Sequence, residues 1–315
     1  MTFDEIFSLF LPHSVERLNT LRTGKRLVHY TSAEAAYQII TGRQIWLRNA
    51  QVMNDFSEIQ HGINCLSQAW QSPGGKQVKT MLDQISGGLS NTLEKLFYGH
   101  ADTFKQGTYI TSLSEHEDYE DSYGRLSMWR AYGGKSGVAL VLNNTAFTGA
   151  TQEMNVFSSP VFYQDTEQFV LWFQDWAAKI TAAESVLKQL DFKTILETFF
   201  KVFRSFTLCT KHPDFAEERE WRVYYSPVFE GPSDWVHKST AIIRGVPQLL
   251  MKFDLRDEPE RGISGVAPQT LLNRVIIGPC EYPLQVRDAM ISALEEVGIK
   301  NSHEMMWMSL IPYRH

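Results

Sequence analysis

The stretch Arg26-Leu27-Val28-His29-Tyr30-Thr31-Ser32 joins a β-like run to the first turn of a helix. Its dense apolar and β-branched residues predict a short strand. Ser32 is a typical N-cap residue, and apolar residues at helical spacing follow it, so a helix ending at Gly42 is expected. A second short strand is expected at residues 45–47, just beyond this helix.

Strands along the rest of the chain are grouped and do not alternate strictly with helices. Apolar periodicity predicts helices at residues 3–22 (interrupted at Pro12), from about 55 to 70, at 77–99, twice within 166–209, and at 283–297, with a turn at 71–76. Further strands are predicted at residues 108–113, 136–142, 156–163, 220–226, 240–244, 249–254, 273–278 and 304–311. This order favours an α+β fold with a mixed or largely antiparallel sheet over a doubly wound fold.

The composition is that of a globular chain. Its 315 residues are 43% hydrophobic and 21% charged, which excludes disordered, collagen-like and coiled-coil classes. There is no repeat, low-complexity tract or clear linker, so we expect one elaborated domain over residues 1–315. The net charge of -6 argues against a wholly basic nucleic-acid coat, although a local basic face is compatible with it.

The cysteines and the N-terminus indicate a compartment. Cys65, Cys209 and Cys280 are odd in number and never spaced as CxxC, which indicates free thiols in a reducing environment and no zinc knuckle. The N-terminal residues do not resemble a signal peptide, and no uncharged apolar run reaches the roughly 18 residues that a membrane span needs. We therefore expect a cytoplasmic protein that does not enter a membrane.

Two candidate clusters lie in the first sixty residues. His29 ends an apolar strand together with Tyr30 and Thr31, where a packed, hydrogen-bonded histidine is the alternative to a functional one. Asn54 and Asp55 precede a predicted helix, where the alternative is an N-cap with a solvated first turn.

Two more clusters lie later in the chain. Residues 128–134 read Met-Trp-Arg-Ala-Tyr-Gly-Gly, and Trp129 and Tyr132 offer faces on which a flat heterocycle could stack, unless both are core aromatics beside a hairpin turn. Glu218, Glu220 and Arg222 occupy every second position, so if all three lie on one strand, their side chains share one face. Neighbouring carboxylates repel unless a ligand or cations use them, and an ion-pair ladder with Arg219 or Arg222 is the structural alternative.

Several common site motifs are missing. The sequence contains no GxGxxG, GxxxxGK[ST], HExxH or GxSxG. A Rossmann or P-loop nucleotide site, a zinc protease and an α/β-hydrolase are therefore unsupported, and no metal is expected.

Taken together, these clusters resemble a bacterial family known as domain of unknown function 2971. The motifs that carry the resemblance are His29-Tyr30-Thr31-Ser32, Gly42 with Trp46-Leu47, Met53-Asn54-Asp55 with Glu58, Ser112 and Ser114, residues 128–133, Lys211, Phe215, Glu218-x-Glu220-Trp221-Arg222, residues 276–279, and residues 309–314. Residues 66–105 and 164–208 match none of these motifs and are expected to be helical insertions.

This family is similar to ADP-ribosyltransferases of the His-Tyr-Glu type. The similarity implies a split mixed sheet around a cleft that binds NAD as substrate. It implies that Glu220, Glu218 and His29 are catalytic, with Glu220 stabilising the oxocarbenium-like transition state and Glu218 orienting or deprotonating the acceptor. Glu217 competes for the same label. The residues implied to contact NAD are His29, Tyr30, Thr31, Asn54, Asp55, Ser112, Trp129, Arg130, Tyr132 and Arg222, with Tyr132 or else Trp129 stacking on nicotinamide.

The resemblance extends to biological setting. Similar proteins occur in anti-phage defence and toxin–antitoxin systems, which implies a nucleic acid or protein as acceptor and admits an antitoxin as partner. An NAD glycohydrolase, using the same residues with water as acceptor, is the alternative enzyme. A non-catalytic module that binds a nucleotide or RNA is the alternative from another functional class.

Overall fold

A computed structural model describes residues 3–52, 56–149, 152–243 and 245–312. The strands in chain order are β1 Arg26–Ser32, β2 Gln44–Asn49, β3 Tyr109–His116, β4 Gly137–Leu142, β5 Phe157–Pro160, β6 Phe162–Tyr163, β7 Thr210–Lys211, β8 Glu220–Tyr225, β9 Val236–Ile243, β10 Val246–Asp254, β11 Leu272–Ile277 and β12 Met306–Met308. The α-helices are α1 Phe3–Phe10, α2 Pro12–Arg22, α3 Ala33–Gly42, α4 Phe56–Gln71, α5 Pro73–Ile85, α6 Leu89–Gly99, α7 Ala101–Gln106, α8 Leu126–Met128, α9 Thr145–Thr148, α10 Thr166–Ala182, α11 Glu184–Leu187, α12 Phe192–Cys209, α13 Pro227–Glu230, α14 Pro268–Leu271, α15 Pro283–Glu296 and α16 Ser302–Met305. None of these helices has the length and apolar composition that a membrane span requires.

The chain divides into two compact units. The helical unit comprises Met1–Leu18, Asn49–Thr108 and Ser159–Glu217, and the sheet unit comprises Asn19–Arg48, Tyr109–Ser158 and Glu218–His315. Both expected helical insertions, residues 66–105 and 164–208, are largely helical and lie in the helical unit. The expectation of one elaborated domain over 1–315 stays a prediction.

The helical unit is built on α4, α5, α10 and α12, which pack against one another. Its core is aromatic, with Phe173 and Trp176 at a ring-centroid distance of 4.8 Å and the Trp176 indole donating to the Phe10 carbonyl at 3.0 Å. Gly62 lets α4 approach α12 closely, because a Cβ there would lie 2.2 Å from the Thr207 carbonyl oxygen.

The turn predicted at residues 71–76 is wrong, because α5 begins inside it. Ser72 caps this helix and Pro73 occupies its first turn, both favourable positions for these residue types. Gly74 and Gly75 serve close packing here. Cβ atoms at these positions would lie 2.9 Å from the Gln174 Cα and 2.2 Å from the Trp70 carbonyl oxygen, respectively.

The sheet unit contains a mixed sheet, as the α+β prediction requires. Its strand order is β12-β11-β4-β1-β3-β2-β10-β9, with β8 paired to β3 and β5 paired to β8. β11 and β12 run parallel, whereas β1 is antiparallel to both β3 and β4. The narrower expectation of a split sheet around an NAD cleft stays a prediction.

β1 forms as the sequence predicts, and its two neighbours pair with it over different lengths. Ser32 caps α3 by accepting a hydrogen bond from the Ala35 amide at 3.2 Å, and α3 ends at Gly42. The β1–β4 register extends from Leu27↔Leu142 to Ser32↔Gly137, but the β1–β3 register stops at Val28↔Ser114. His29 therefore follows directly on the last β1–β3 pair.

Trp129 is the centre of a buried cluster on this sheet. The indole is 1% exposed, packs edge-on against Tyr30 at 4.8 Å between centroids, and donates to the Tyr123 carbonyl at 2.8 Å. Gly124, Gly137 and Gly278 border the ring so closely that a Cβ on any of them would lie between 2.7 and 3.0 Å from it. The ring fits because all three positions lack a side chain.

We predict that Gly278→Ala destabilises the protein by about 1–3 kcal/mol, because the added methyl would overpack a rigid indole. Gly42→Ala is the matched control, since a Cβ there meets no atom within 4 Å. Urea unfolding of the two variants checks this. Equal unfolding free energies for both would contradict the packing described for Trp129.

Candidate active site

The candidate site is built on the β3–β8 pair. The register places Ser112 opposite Arg222 and Ser114 opposite Glu220. Directly opposed residues of antiparallel strands point to the same side, as do residues two apart, so all four side chains share one face. Ser114, Glu220 and Arg222 are all buried there.

The Glu220 carboxylate is held by donors on both of its oxygens. Its Oε1 accepts from the Ser112 hydroxyl at 2.6 Å and from Arg222 Nε at 2.9 Å, and its Oε2 accepts from Arg222 Nη2 at 3.1 Å. Such a bidentate, buried pair fixes the orientation of the carboxylate. The ion pair between Glu220 and Arg222, which is the structural alternative to a catalytic role, is thus present. An experiment has to separate these two roles of Glu220.

His29 meets this group through Ser112. Its Nδ1 lies 3.0 Å from the Ser112 carbonyl oxygen, and because a carbonyl only accepts, Nδ1 must carry the hydrogen. Burial lowers the pKa of His29, and the bond to Ser112 offsets this only in part. The ring is therefore neutral at pH 7, with the lone pair on Nε2.

The expectation that Glu218 shares a strand face with Glu220 is wrong, because Glu218 ends the short helical turn Pro213–Glu218 before β8 begins. A second set of contacts holds it. The Tyr132 hydroxyl donates to Glu218 Oε1 at 2.9 Å, and the Ser114 hydroxyl donates to the Glu218 backbone carbonyl. Tyr132 stands on a π-helical turn, Trp129–Gly133, an uncommon element that is frequent at functional sites. Glu218 and Tyr132 are both partly exposed.

The other predicted contacts are distributed unevenly. Trp129 and Tyr30 are core residues: Tyr30 is 6% exposed, its hydroxyl accepts from the Arg125 amide at 2.9 Å, and burial raises its pKa to about 12. Of the two candidate stacking rings, Tyr132 is the one with exposed surface. Arg130 lies on the same π-helical turn as Tyr132 and is exposed. Thr31 lies two residues after His29 in β1. Asn54 and Asp55 lie outside the described residues.

One cavity of the sheet unit, about 50 Å³ in volume, lies on the opposite face of the β3–β8 pair. Leu113 and Val223 line it, and its walls are almost entirely apolar. It contains none of the predicted site residues. Among the residues that the structure describes, no three His, Cys, Asp or Glu side chains are grouped so that they could hold a metal ion.

Sequence reasoning offered Arg219 as an ion-pair partner but missed Glu120 and Arg125, two charged residues behind this site. Glu120 contacts both Arg125 and Arg219, and Arg125 also donates to the Ser114 hydroxyl, which is bonded to the Glu218 carbonyl. Glu120 lies in a run of mostly acidic residues, 115–121, yet it is 2% exposed. The strand predicted at residues 108–113 could have given a signal, because extending it by three residues, as β3 does, places the start of this acidic run in the sheet.

The comparisons with known proteins find one family match, over part of the chain, and no activity. No curated protein and no solved structure matches the chain. Residues 128–223, which include Tyr132, Glu218, Glu220 and Arg222, match the model of a family described as "Protein of unknown function (DUF2971)". Over these residues, about a third of its length, the chain is similar to the DUF2971 family.

Proposed function

We propose that this protein is an NAD-dependent ADP-ribosyltransferase that modifies a macromolecule. The observation that carries the proposal is a pair of contact sets in the sheet unit: His29 and Glu220 both contact Ser112, and Tyr132 contacts Glu218, two residues before Glu220, although these residues are spread over nearly two hundred positions of the chain. Two anchored carboxylates, a partly exposed aromatic ring and a neutral histidine are the groups that this reaction needs.

Glu220 takes the central role in this proposal. As nicotinamide leaves, positive charge develops on the ribose, and a fixed carboxylate stabilises that charge without having to reorient. The Ser112 hydroxyl and the Arg222 guanidinium hold Glu220 in one orientation. The attraction matters mainly in the transition state, because NAD itself carries no such charge on the ribose.

His29 and Glu218 have different tasks. The His29 Nε2 lone pair suits a ribose hydroxyl, which donates. Glu218 is the second carboxylate, and it would orient the incoming acceptor or take its proton. Tyr132 would provide the ring that packs on nicotinamide, since Trp129 is enclosed in the core.

The decisive experiment is incubation with NAD labelled in its ADP-ribose half and a total cell extract, followed by separation of protein, RNA and DNA. Label in a macromolecular fraction supports the transferase and identifies the acceptor class. Free ADP-ribose without labelled macromolecule would instead indicate an NAD glycohydrolase. No turnover together with retained NAD binding would indicate a binding module.

We predict that Glu220→Gln lowers NAD turnover by roughly 10²–10³, the scale for losing one preorganised electrostatic contact. The KM for NAD changes little, because the amide keeps the shape and most hydrogen bonds. Steady-state kinetics of nicotinamide release measures both constants. Glu217→Gln is the matched control, since its side chain is exposed and neighbours the pair.

Thermal unfolding separates this role from the structural alternative. If Glu220→Gln lowers the Tm and leaves turnover unchanged, Glu220 serves only its ion pair with Arg222. Glu218→Gln is expected to reduce transfer to the acceptor more than hydrolysis of NAD. The reverse pattern would exchange the two roles.

We predict that His29→Asn raises the KM for NAD about fivefold, the effect of losing roughly 1 kcal/mol of hydrogen bonding. The Asn amide can still donate to the Ser112 carbonyl, but it offers no acceptor at the Nε2 position. In the wild type, protonation of Nε2 removes the same acceptor. Because burial lowers the pKa of His29 from its ordinary value of 6.5, the wild-type KM for NAD is expected to rise only below that pH.

Initial rates between pH 5 and 8 check the His29 prediction. The wild-type KM must rise on the acid side, and the KM of the Asn variant must lack that rise. Parallel pH profiles for the two proteins would rule out His29 as the titrating contact.

A further inference from the structure

Glu120 is a buried carboxylate that holds two arginines. It closes the short turn Asp118–Glu120 after β3, where its Oε2 accepts from the Glu117 amide at 3.0 Å. Its Oε1 contacts Arg219 Nη2 at hydrogen-bond distance and Arg125 Nε at 3.3 Å. The carboxylate is 2% exposed, so these contacts are made away from solvent.

The first arginine stands between the two candidate catalytic carboxylates. Arg219 has a φ of 46°, in the left-handed region that a residue with a Cβ seldom adopts. Its carbonyl accepts from the Glu115 amide at 2.9 Å, which ties this turn to β3. The turn directs the chain from Glu218 into β8, and the contact with Glu120 anchors its side chain.

The second arginine reaches Glu218 by another route. Arg125 Nη2 donates to the Ser114 hydroxyl, and that hydroxyl donates to the Glu218 carbonyl. The Arg125 amide is itself fixed by the Tyr30 hydroxyl. Both chains of contacts therefore begin at Glu120 and end on the segment that carries Glu218 and Glu220.

We infer that Glu120 is a positioning residue, which sets the placement of Glu218 and Glu220 through Arg219 and Arg125. This inference rests on the proposed function for its catalytic consequence. Glu120 itself contacts neither of the two catalytic carboxylates among the interactions described above. Its effect would be on where those groups stand, and a misplacement of about 1 Å can cost about 10²-fold in rate.

Glu120→Gln is the sharpest test, because it keeps the shape and removes the charge. Both Glu120 oxygens face donors, and an amide can accept on one side only, so at least one contact must be lost. Asp118→Asn is the matched control in the same turn, since Asp118 is exposed and pairs with Arg26 instead.

Two readouts are expected to move together in Glu120→Gln. The kcat for NAD falls by about 10²-fold while the KM stays within about twofold, because the binding groups are untouched. Amide hydrogen exchange rises in residues 218–222 relative to the rest of the sheet unit. Asp118→Asn leaves both quantities at the wild-type values.

Hydrogen exchange makes the two proposals separable. If the wild type turns over no NAD, the proposed function fails, and exchange alone then decides the positioning of the 218–222 segment. Exchange that is unchanged, or that rises evenly over the sheet unit, overturns the inference. So does an active Glu120→Gln variant with wild-type kcat.

Arg219→Gly provides a second variant in case Glu120→Gln does not fold. Glycine adopts the left-handed region freely, so this change removes the anchor and leaves the turn available. The kcat is expected to fall by a smaller factor than in Glu120→Gln, because the route through Arg125 remains. Wild-type kcat and wild-type exchange in Arg219→Gly would overturn the inference as well.

Discussion

Ser114 pairs with Val28 of β1 and with Glu220 of β8 at the same time, and the candidate site depends on this double pairing. β3 therefore pairs with both β1 and β8. Because the β1 register with β3 stops there, His29 is the first residue free to turn its ring to the β3 backbone. Ser112, which lies two residues before Ser114 in β3, accepts from His29 with its carbonyl and donates to Glu220 with its hydroxyl.

The charged groups in this region orient one another more than they stabilise the fold. Removing a buried ion pair from water costs much of what the attraction returns, so such a pair is a weak argument for stability. Its geometry is nevertheless well defined, because a misplaced buried charge would be left without compensation. Glu220 with Arg222, and Glu120 with Arg219 and Arg125, fit this description.

Local features of the fold could be predicted from the sequence, and long-range ones could not. β1, the Ser32 cap and the end of α3 at Gly42 follow from residue types within a few positions of each other. The shared face of Glu220 and Arg222 follows from strand alternation, but Glu218 lies in the short helical turn before β8, and the left-handed Arg219 interrupts the alternation between the two glutamates. The convergence of Ser112 on Glu220 depends on strand pairing across about a hundred residues, which no local pattern contains.

Errors of prediction also have physical causes. Trp129 and Tyr132 are alike as aromatic residues of one motif, and only the π-helical turn separates a core ring from a partly exposed one. Gly74 and Gly75 indicate a turn by type, yet they serve helix packing. The left-handed Arg219 carries no glycine or asparagine signal, so its turn could not be read from composition.

The glycines around Trp129 come from three separate parts of the chain, yet all of them border the same indole ring. A Cβ at Gly278 would first meet the indole, at 2.7 Å, whereas a Cβ at Gly137 would also lie 2.8 Å from the Gly133 Cα, so a smaller residue at position 129 would relieve Gly278 and not Gly137. Positions 129 and 278 are therefore coupled through one ring, and position 137 is constrained by backbone as well. We therefore expect a side chain at position 278 to be accepted only together with a smaller residue at position 129.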